Sequence, residues 1–330
     1  MAIVAPAGAV LQDGIDVSAF QTTINWTSVK GAGIKFAFAK ATEGVDFLDD
    51  TFTAKMAGAK AAGVLIGPYH FARPDSFNTN PNDAANEAND FVDAIQSYYQ
   101  GNNLTLRPVL DVERLPNVGT TAQNKAFLSE WIRDFAAVVN TRLGFKPIIY
   151  ANSDYAINYL ETNINQFDFW LANYNYTPPT TPPVSQSGVF GSWDFWQYTG
   201  TGSVSGISGN VDRDVFNGTM AQLATQFIPD YHPGDFDWNG VVDARDYIRW
   251  RNTMGTAANQ GTGADADFSG VIDNGDFAIW RANFGKTYST AGSGAGSAVG
   301  ASMVPETASA ALVLVAAIIG LAGVRRRQCR

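Results

Sequence analysis

The 330-residue chain has one cysteine, Cys329, and two histidines, His70 and His232. A lone thiol forms no intramolecular disulfide, so the fold stands on its apolar core. Two histidines without spare thiols argue against a His/Cys zinc site. A serine triad would have to use His70, and no Gly-x-Ser-x-Gly turn supports one. Basic charge is also scarce, with 22 Lys and Arg against 31 Asp and Glu and a formal net charge of -9. That balance argues against nucleic acid as a partner, because phosphate binding needs clustered cations. The only dense basic run is Arg325–Arg327. Any chemistry is left to carboxylates.

Residues 13–220 alternate short apolar runs with longer segments of helical period. Strands are predicted at Gly14–Ser18, Phe36–Thr42, Leu65–Ala72, Arg107–Glu113, Lys146–Asn152, Asp168–Tyr174, Phe195–Thr199 and Val211–Phe216. Helices are predicted at Ala84–Tyr99 and Ala122–Leu143, where Phe127, Trp131 and Phe135 recur four residues apart. Eight strands with crossovers predict an α/β fold with a parallel sheet closed into a TIM-like (β/α) barrel. The intervals before the last two strands are too short or too rich in Pro, Gly and Ser for full helices. The barrel is therefore expected to be irregular and incomplete on one side.

The run RPVLDVE ends in Asp111 and Glu113. Side chains alternate along a strand, so both project to one face, with Cα atoms about 6–7 Å apart. At the C-terminal end of a barrel strand that face opens into the active site. Two carboxylates this close raise one pKa and keep a protonated acid available, as glycosidic cleavage requires. An isolated Asp-x-Glu is more often an ordinary strand-end pair. Here Asp16, ending strand 1, and Asp212, beside strand 8, would reach the same opening, and four converging carboxylates favour function over stability. Tyr69, Tyr150, Trp170 and Trp196 are candidates to contact sugar rings, and each is equally a core residue, while Gln197 offers amide contacts. His70 reads as a structural histidine.

The runs GIDVSAFQ, FAFAKATEG with Asp49–Phe52, AAGVLIGPYHFAR, PVLDVE, DFWLANY and FWQYTGTGSVSGISGNVDRDVFNG resemble, in order, glycoside hydrolase family 25, the Chalaropsis-type lysozymes. The resemblance covers about residues 13–218. It implies a modified barrel that cuts the β-1,4 bond between N-acetylmuramic acid and N-acetylglucosamine in peptidoglycan glycan strands, without a catalytic cofactor. On this chain it makes Glu113 the general acid/base, Asp111 its partner, and Asp16 and Asp212 the other site aspartates. Asp111 orients the substrate's acetamido group as an internal nucleophile, or an aspartate attacks directly, or one activates water with inversion. The rivals are a chitinase-like glycosidase and a carbohydrate-binding or scaffold protein that has lost activity.

A linker, 221–233, precedes a second unit at 234–288, built on a 30-residue repeat that aligns Asp235 with Asp265 and Trp250 with Trp280. In the first loop Asp235, Asp237, Asn239, Val241, Asp243 and Asp246 stand at positions 1, 3, 5, 7, 9 and 12, with Gly240 at the sharp turn. In the second, Asp265, Asp267, Ser269, Val271, Asp273 and Asp276 follow suit. This is the spacing of a Ca²⁺ loop, with Asp replacing the usual bidentate Glu at position 12. The pair resembles a dockerin type I module, a small all-α unit holding two structural Ca²⁺ ions. That family docks onto cohesin-type partners; a calcium-stabilised spacer without a partner is the alternative.

Residues 289–303 read as a Gly/Ser/Ala spacer, and 304–330 as a sorting tail. No charge occurs from Thr307 through Val324, enough for a transmembrane helix. The tail resembles a PEP-CTERM signal handled by an exosortase-like enzyme, with Thr307 where that signal has Pro. Export to the cell envelope is expected, membrane-anchored or released after tail processing. Residues 1–12 lack Lys and Arg and read as a leader remnant or disordered segment.

Overall fold

The computed structural model describes residues 10–74, 80–101, 103–116 and 118–288, and the backbone of Ile3–Val4. Eight strands form the barrel: β1 Leu11–Val17, β2 Phe36–Glu43, β3 Leu65–Phe71, β4 Val109–Asp111, β5 Ile148–Asn152, β6 Phe169–Ala172, β7 Phe195–Gly202 and β8 Val211–Asn217. β1 to β7 run parallel wherever they pair, and β1 meets β2 to close the ring. The ring is thus complete, and what is missing on one side is its helical layer. Between β6 and β7 lie only short 3₁₀ turns and the two-residue strand Thr180–Thr181, which pairs with Ile3–Val4.

One expectation fails: β8 is antiparallel to both neighbours, β7 and β1, so the sheet is not wholly parallel. The reason is loop length. A parallel crossover needs about a dozen residues or more, usually a helix, and the Gly/Ser-rich stretch 203–210 allows only a reversal. The reversal places the start of β8, with Asp212 opposite Asp16, at the same end as the C-termini of the parallel strands. It also delivers the chain to the opposite end. There helix α5, Met220–Phe227, caps the barrel base, and Phe227 packs edge-on against Phe195 and Phe216.

The remaining helices are α1 Trp26–Gly31, α2 Phe52–Ala62, α3 Asp83–Ile95, α4 Thr121–Leu143, α6 Ala244–Thr253 and α7 Asn274–Asn283. Thr120 opens α4 with a reciprocal cap to Gln123, and Gly144 ends it in the left-handed region. The barrel interior is filled by alternate residues, among them Phe36, Phe38, Val109, Ile148, Trp170, Phe195 and Phe216. Gly14 makes room for this filling, since a Cβ there would stand 2.2 Å from the Phe36 ring.

Residues 234–288 fold as two loop–helix units, α6 and α7, around Phe236, Trp250, Ala264, Ala266 and Ile272. The expected transmembrane segment, spacer and sorting tail lie outside the described residues. Among the described residues no helix is long and apolar enough to cross a membrane.

Candidate active site

Period-two alternation sets the barrel mouth. Asp16 on β1 and Ser18 just past its end share a face, as do Phe38 and Lys40 on β2, Tyr69 and Phe71 on β3, and Asp111 and Glu113 at β4. They meet in an open cleft of about 680 Å³, lined by Asp16, Tyr69, Asp111, Glu113, Tyr150, Trp170, Gln197 and Asp212 together with Lys40 and Tyr174. The four carboxylates nominated from sequence therefore share one opening. β4 itself ends at Asp111, leaving Glu113 exposed beyond the strand on the cleft wall. Its backbone carbonyl accepts the Tyr155 hydroxyl at 2.7 Å, which fixes the segment without engaging the carboxylate.

The floor is acidic and buried. Asp16 Oδ2 accepts from Gln197 Nε2 at 2.7 Å, and Gln197 Oε1 accepts the hydroxyls of Tyr150 at 2.8 Å and Tyr174 at 2.6 Å. Burial, then the neighbouring Asp212 carboxylate, pushes the Asp16 pKa well above the usual range. Burial raises the Asp212 pKa as well, opposed by its interaction with the Asp16 carboxyl. Asp111 is raised by burial first and by Glu113 second. Its Oδ1 is buried without a hydrogen-bond partner among the described residues, on a residue that lines the cleft.

Tyr69, Tyr150, Trp170 and Gln197 line the cleft as nominated; Trp196 does not. It is wholly buried on the other face of β7, where its indole N–H donates to Asn173 O at 2.8 Å beside Trp193. Adjacent strand residues face opposite ways, so Gln197 and Trp196 cannot both look inward. His70 is fully buried behind the sheet. Its Nδ1 pairs with Thr42 Oγ1 and its Nε2 with Glu87 Oε2, both at 2.7 Å, and burial lowers its pKa to about 3.

Sequence reasoning missed Lys40, Phe71, Tyr174 and Asp214. Alternation carried past Phe38, Tyr69 and Trp170 would have found the first three. Lys40 is tied to Glu43, which also pairs with Arg73. Asp214 lies inside the barrel, two residues along β8 from Asp212. Its Oδ1 accepts the Trp170 indole N–H at 3.1 Å, and its Oδ2 is buried without a partner among the described residues. Burial, then the Asp16 and Asp212 charges, raises its pKa well above the usual range. A raised folded-state pKa means stability present at low pH and lost as pH rises through that value. Asp214→Asn removes this titration. Its unfolding midpoint relative to wild type is expected to rise as pH goes from 4 to 8, by about 2–4 °C per kcal/mol recovered. A pH-independent difference would contradict the assignment.

The profile of glycosyl hydrolases family 25 matches residues 15–207. The chain belongs to glycosyl hydrolases family 25. Asp16, Asp111 and Glu113 lie within the matched span, and Asp212 falls just past it. Lysozyme M1 of Streptomyces globisporus is 38% identical over 225 residues, 67% of this chain and 72% of that protein. An N,O-diacetylmuramidase of Chalaropsis sp is 28% identical over 214 residues, 61% of this chain and 95% of its own. Among solved structures, a bacterial lysozyme from Streptomyces coelicolor shares 36% identity with a TM-score of 0.53, covering 64% of this chain and 95% of that one. The family 25 chain is a glycoside hydrolase, and its barrel is the part these relatives share.

In the unit that follows the barrel in sequence, two carboxylate clusters recur. Oxygens of Asp235, Asp237 and Asp246 lie within 4.8 Å of one another, as do those of Asp265, Asp267 and Asp276. Gly240 and Gly270 turn each loop at φ 83° and 87°, and their N–H groups donate to Asp235 and Asp265. Asp243 and Asp273 sit at the N-caps of α6 and α7. Asn239, Ser269, Val241 and Val271 occupy the intervening ligand positions on the exposed or half-exposed rim. Asp265 Oδ1 is buried without a hydrogen-bond partner among the described residues. All-oxygen donors with orphaned buried charge fit a hard divalent cation.

Proposed function

We propose that the chain is an exported N-acetylmuramidase that hydrolyses the β-1,4 bond between N-acetylmuramic acid and N-acetylglucosamine in peptidoglycan. The observation that carries this reading is the buried Asp111, with an unpartnered Oδ1, next to the exposed Glu113 in an open cleft. A second groove of about 950 Å³ shares Glu113, Tyr150 and Tyr174 and continues past Asn152, Ser153, Asn173 and Asn175. An open trough lined with amides and hydroxyls suits a polymer of N-acetylated sugars.

Glu113 donates its proton to the glycosidic oxygen as the bond to C1 breaks. Asp111 accepts the N–H of the 2-acetamido group, whose carbonyl oxygen bonds to C1 from the opposite face. Glu113, now a carboxylate, takes a proton from water as water opens the cyclic intermediate, and the starting anomer is restored. Asp16, held by Gln197, and its neighbour Asp212 place an acidic pair near the developing positive centre. Muropeptides released from defined peptidoglycan test this. Products ending in reducing N-acetylmuramic acid support it, and products ending in N-acetylglucosamine defeat it.

The unit at 234–288 is a calcium module of dockerin type. Asp235, Asp237, Asn239, Asp243 and Asp246 would hold one ion, and Asp265, Asp267, Ser269, Asp273 and Asp276 the other, with carbonyls of Val241 and Val271 as the seventh-position donors. All eight acidic side chains of the unit stand at loop ligand positions. With two ions bound, the exposed Arg245, Ile248, Arg249 and Arg251 of α6 are left as a basic and apolar face, suited to a cohesin-type partner. The sorting tail is read by an exosortase-like enzyme. Titration of the full chain is expected to show two calcium sites. The unfolding free energy should rise by about 2.7 kcal/mol per site at a calcium concentration 100 times the dissociation constant. No heat of binding and no shift in midpoint would contradict the calcium reading.

A further inference from the structure

The two halves of the duplicated unit are alike in sequence and unlike in surroundings. Position 4 of each loop has left-handed backbone, Trp238 at φ 58° and Phe268 at φ 61°. Trp238 is half-buried and meets Tyr231 edge-on at 6.1 Å. Phe268, by contrast, is 1% exposed and belongs to the apolar cluster of the barrel itself, with Phe36, Leu65, Leu106 and Phe227. The chain closes tightly over this ring, and a Cβ at Gly261 would come within 2.1 Å of it. Gln260 Nε2 donates to Phe268 O at 3.2 Å, and Tyr231 OH to Ala266 O at 3.2 Å. On either side, Asn259 lies against Gly63 at the entry to β3, and Ala266 and Ile279 border a crevice shared with Ala221 and Thr225 of α5.

The carboxylate cluster of this second loop is built into the same contact. Asp265 is 1% exposed, and its Oδ2 accepts from Gly261 N and Gly270 N, each at 3.1 Å. Its Oδ1 has no hydrogen-bond partner among the described residues, and the Asp265, Asp267 and Asp276 carboxylates each bring an oxygen within 4.8 Å of the others. Burying such charge without compensation is unfavourable, and a bound cation removes the penalty. Asp265 thus links the loop's metal positions to Gly261, the residue that closes over Phe268.

We propose that the second loop, closed around a divalent cation, forms the floor of the catalytic barrel and holds Phe268 in its base. The duplicated unit then stabilises the hydrolase from the end opposite its mouth, while the first loop and α6 remain free of this duty. The reversal of β8 is what makes this possible, because it brings the chain out at the base. The inference rests on the calcium reading of the loops, and the test separates the two.

Hydrogen exchange of the full chain, with calcium or with chelator, reads the base locally through residues 63–67, 104–109 and 220–228. Calcium is expected to slow exchange there by about tenfold or more in the wild type. Asp235→Asn should keep that protection. Asp265→Asn should lose it while residues 241–250 still gain protection from calcium. Phe268→Ala, which leaves every ligand in place, should lose the base protection yet still titrate two ions. It also covers the case in which Asp265→Asn fails to fold. Two titrating ions in the wild type with a base indifferent to calcium would overturn this inference alone. Equal loss of base protection in Asp235→Asn and Asp265→Asn would overturn it too. Absence of any titrating ion would overturn the calcium reading.

Discussion

Glu113→Gln is expected to lower kcat for wall hydrolysis by about 10²–10⁴-fold, the usual contribution of a positioned general acid, while substrate binding and the unfolding midpoint stay near wild type. Glutamine keeps the shape and loses the transferable proton. The fold should not notice, because Glu113 is exposed beyond the end of β4 and its segment is held by the backbone carbonyl's bond to Tyr155. Turbidity clearing of purified cell walls, run beside thermal unfolding of the same preparations, measures both halves. Equal clearing rates for variant and wild type would remove Glu113 from the chemistry. A loss of clearing that tracks a loss of folding would leave only a structural role.

Asp111→Asn should cost about 10²–10³-fold in kcat, the size seen when one preorganised electrostatic group is removed. Asparagine matches the carboxylate in shape but carries no negative charge to balance the cyclic acetamido intermediate. The change differs from the previous one in its effect on stability. Burial and the Glu113 charge raise the Asp111 pKa, so in the wild type stability is lost as pH rises through that value. The variant should therefore be at least as stable as wild type at pH 7, with its advantage shrinking as pH falls towards the ordinary carboxylate range. Lower activity with equal or greater stability is the mark of a residue kept for chemistry. Near-normal activity would contradict the role given to Asp111. An inverted product anomer, read by NMR in the first minutes of wild-type turnover, would contradict acetamido assistance specifically.

Much of this arrangement is legible from residue order. All eight strands overlap the predicted runs, with ends displaced by up to three residues, as at Leu11 and Gly202, because an apolar run fixes a strand's middle better than its ends. Asp16, Asp111, Glu113 and Asp212 share the mouth because alternation is a local property of the chain. The direction of β8 is not local in this sense. An interior strand carries the same apolar pattern whichever way it runs, and only the brevity of the preceding loop marks the reversal. Trp196 was a foreseeable error, since its neighbour Gln197 had already taken the inward position. Lys40 and Tyr174 escaped notice for another reason: both lie in predicted strands, but they continue an inward-facing row past its apolar part. Nothing in the repeat distinguishes Phe268 from Trp238. Only packing against the barrel does that, and packing is not written in a thirty-residue period.

The central claim is cleavage on the reducing side of N-acetylmuramic acid by this carboxylate mouth. Mass spectrometry of muropeptides released from defined peptidoglycan, after borohydride reduction, addresses it most directly. The account predicts that the reduced terminus is muramitol in wild-type digests, and that Glu113→Gln releases almost none. Reduced N-acetylglucosamine termini, or equal release by the variant, would contradict it.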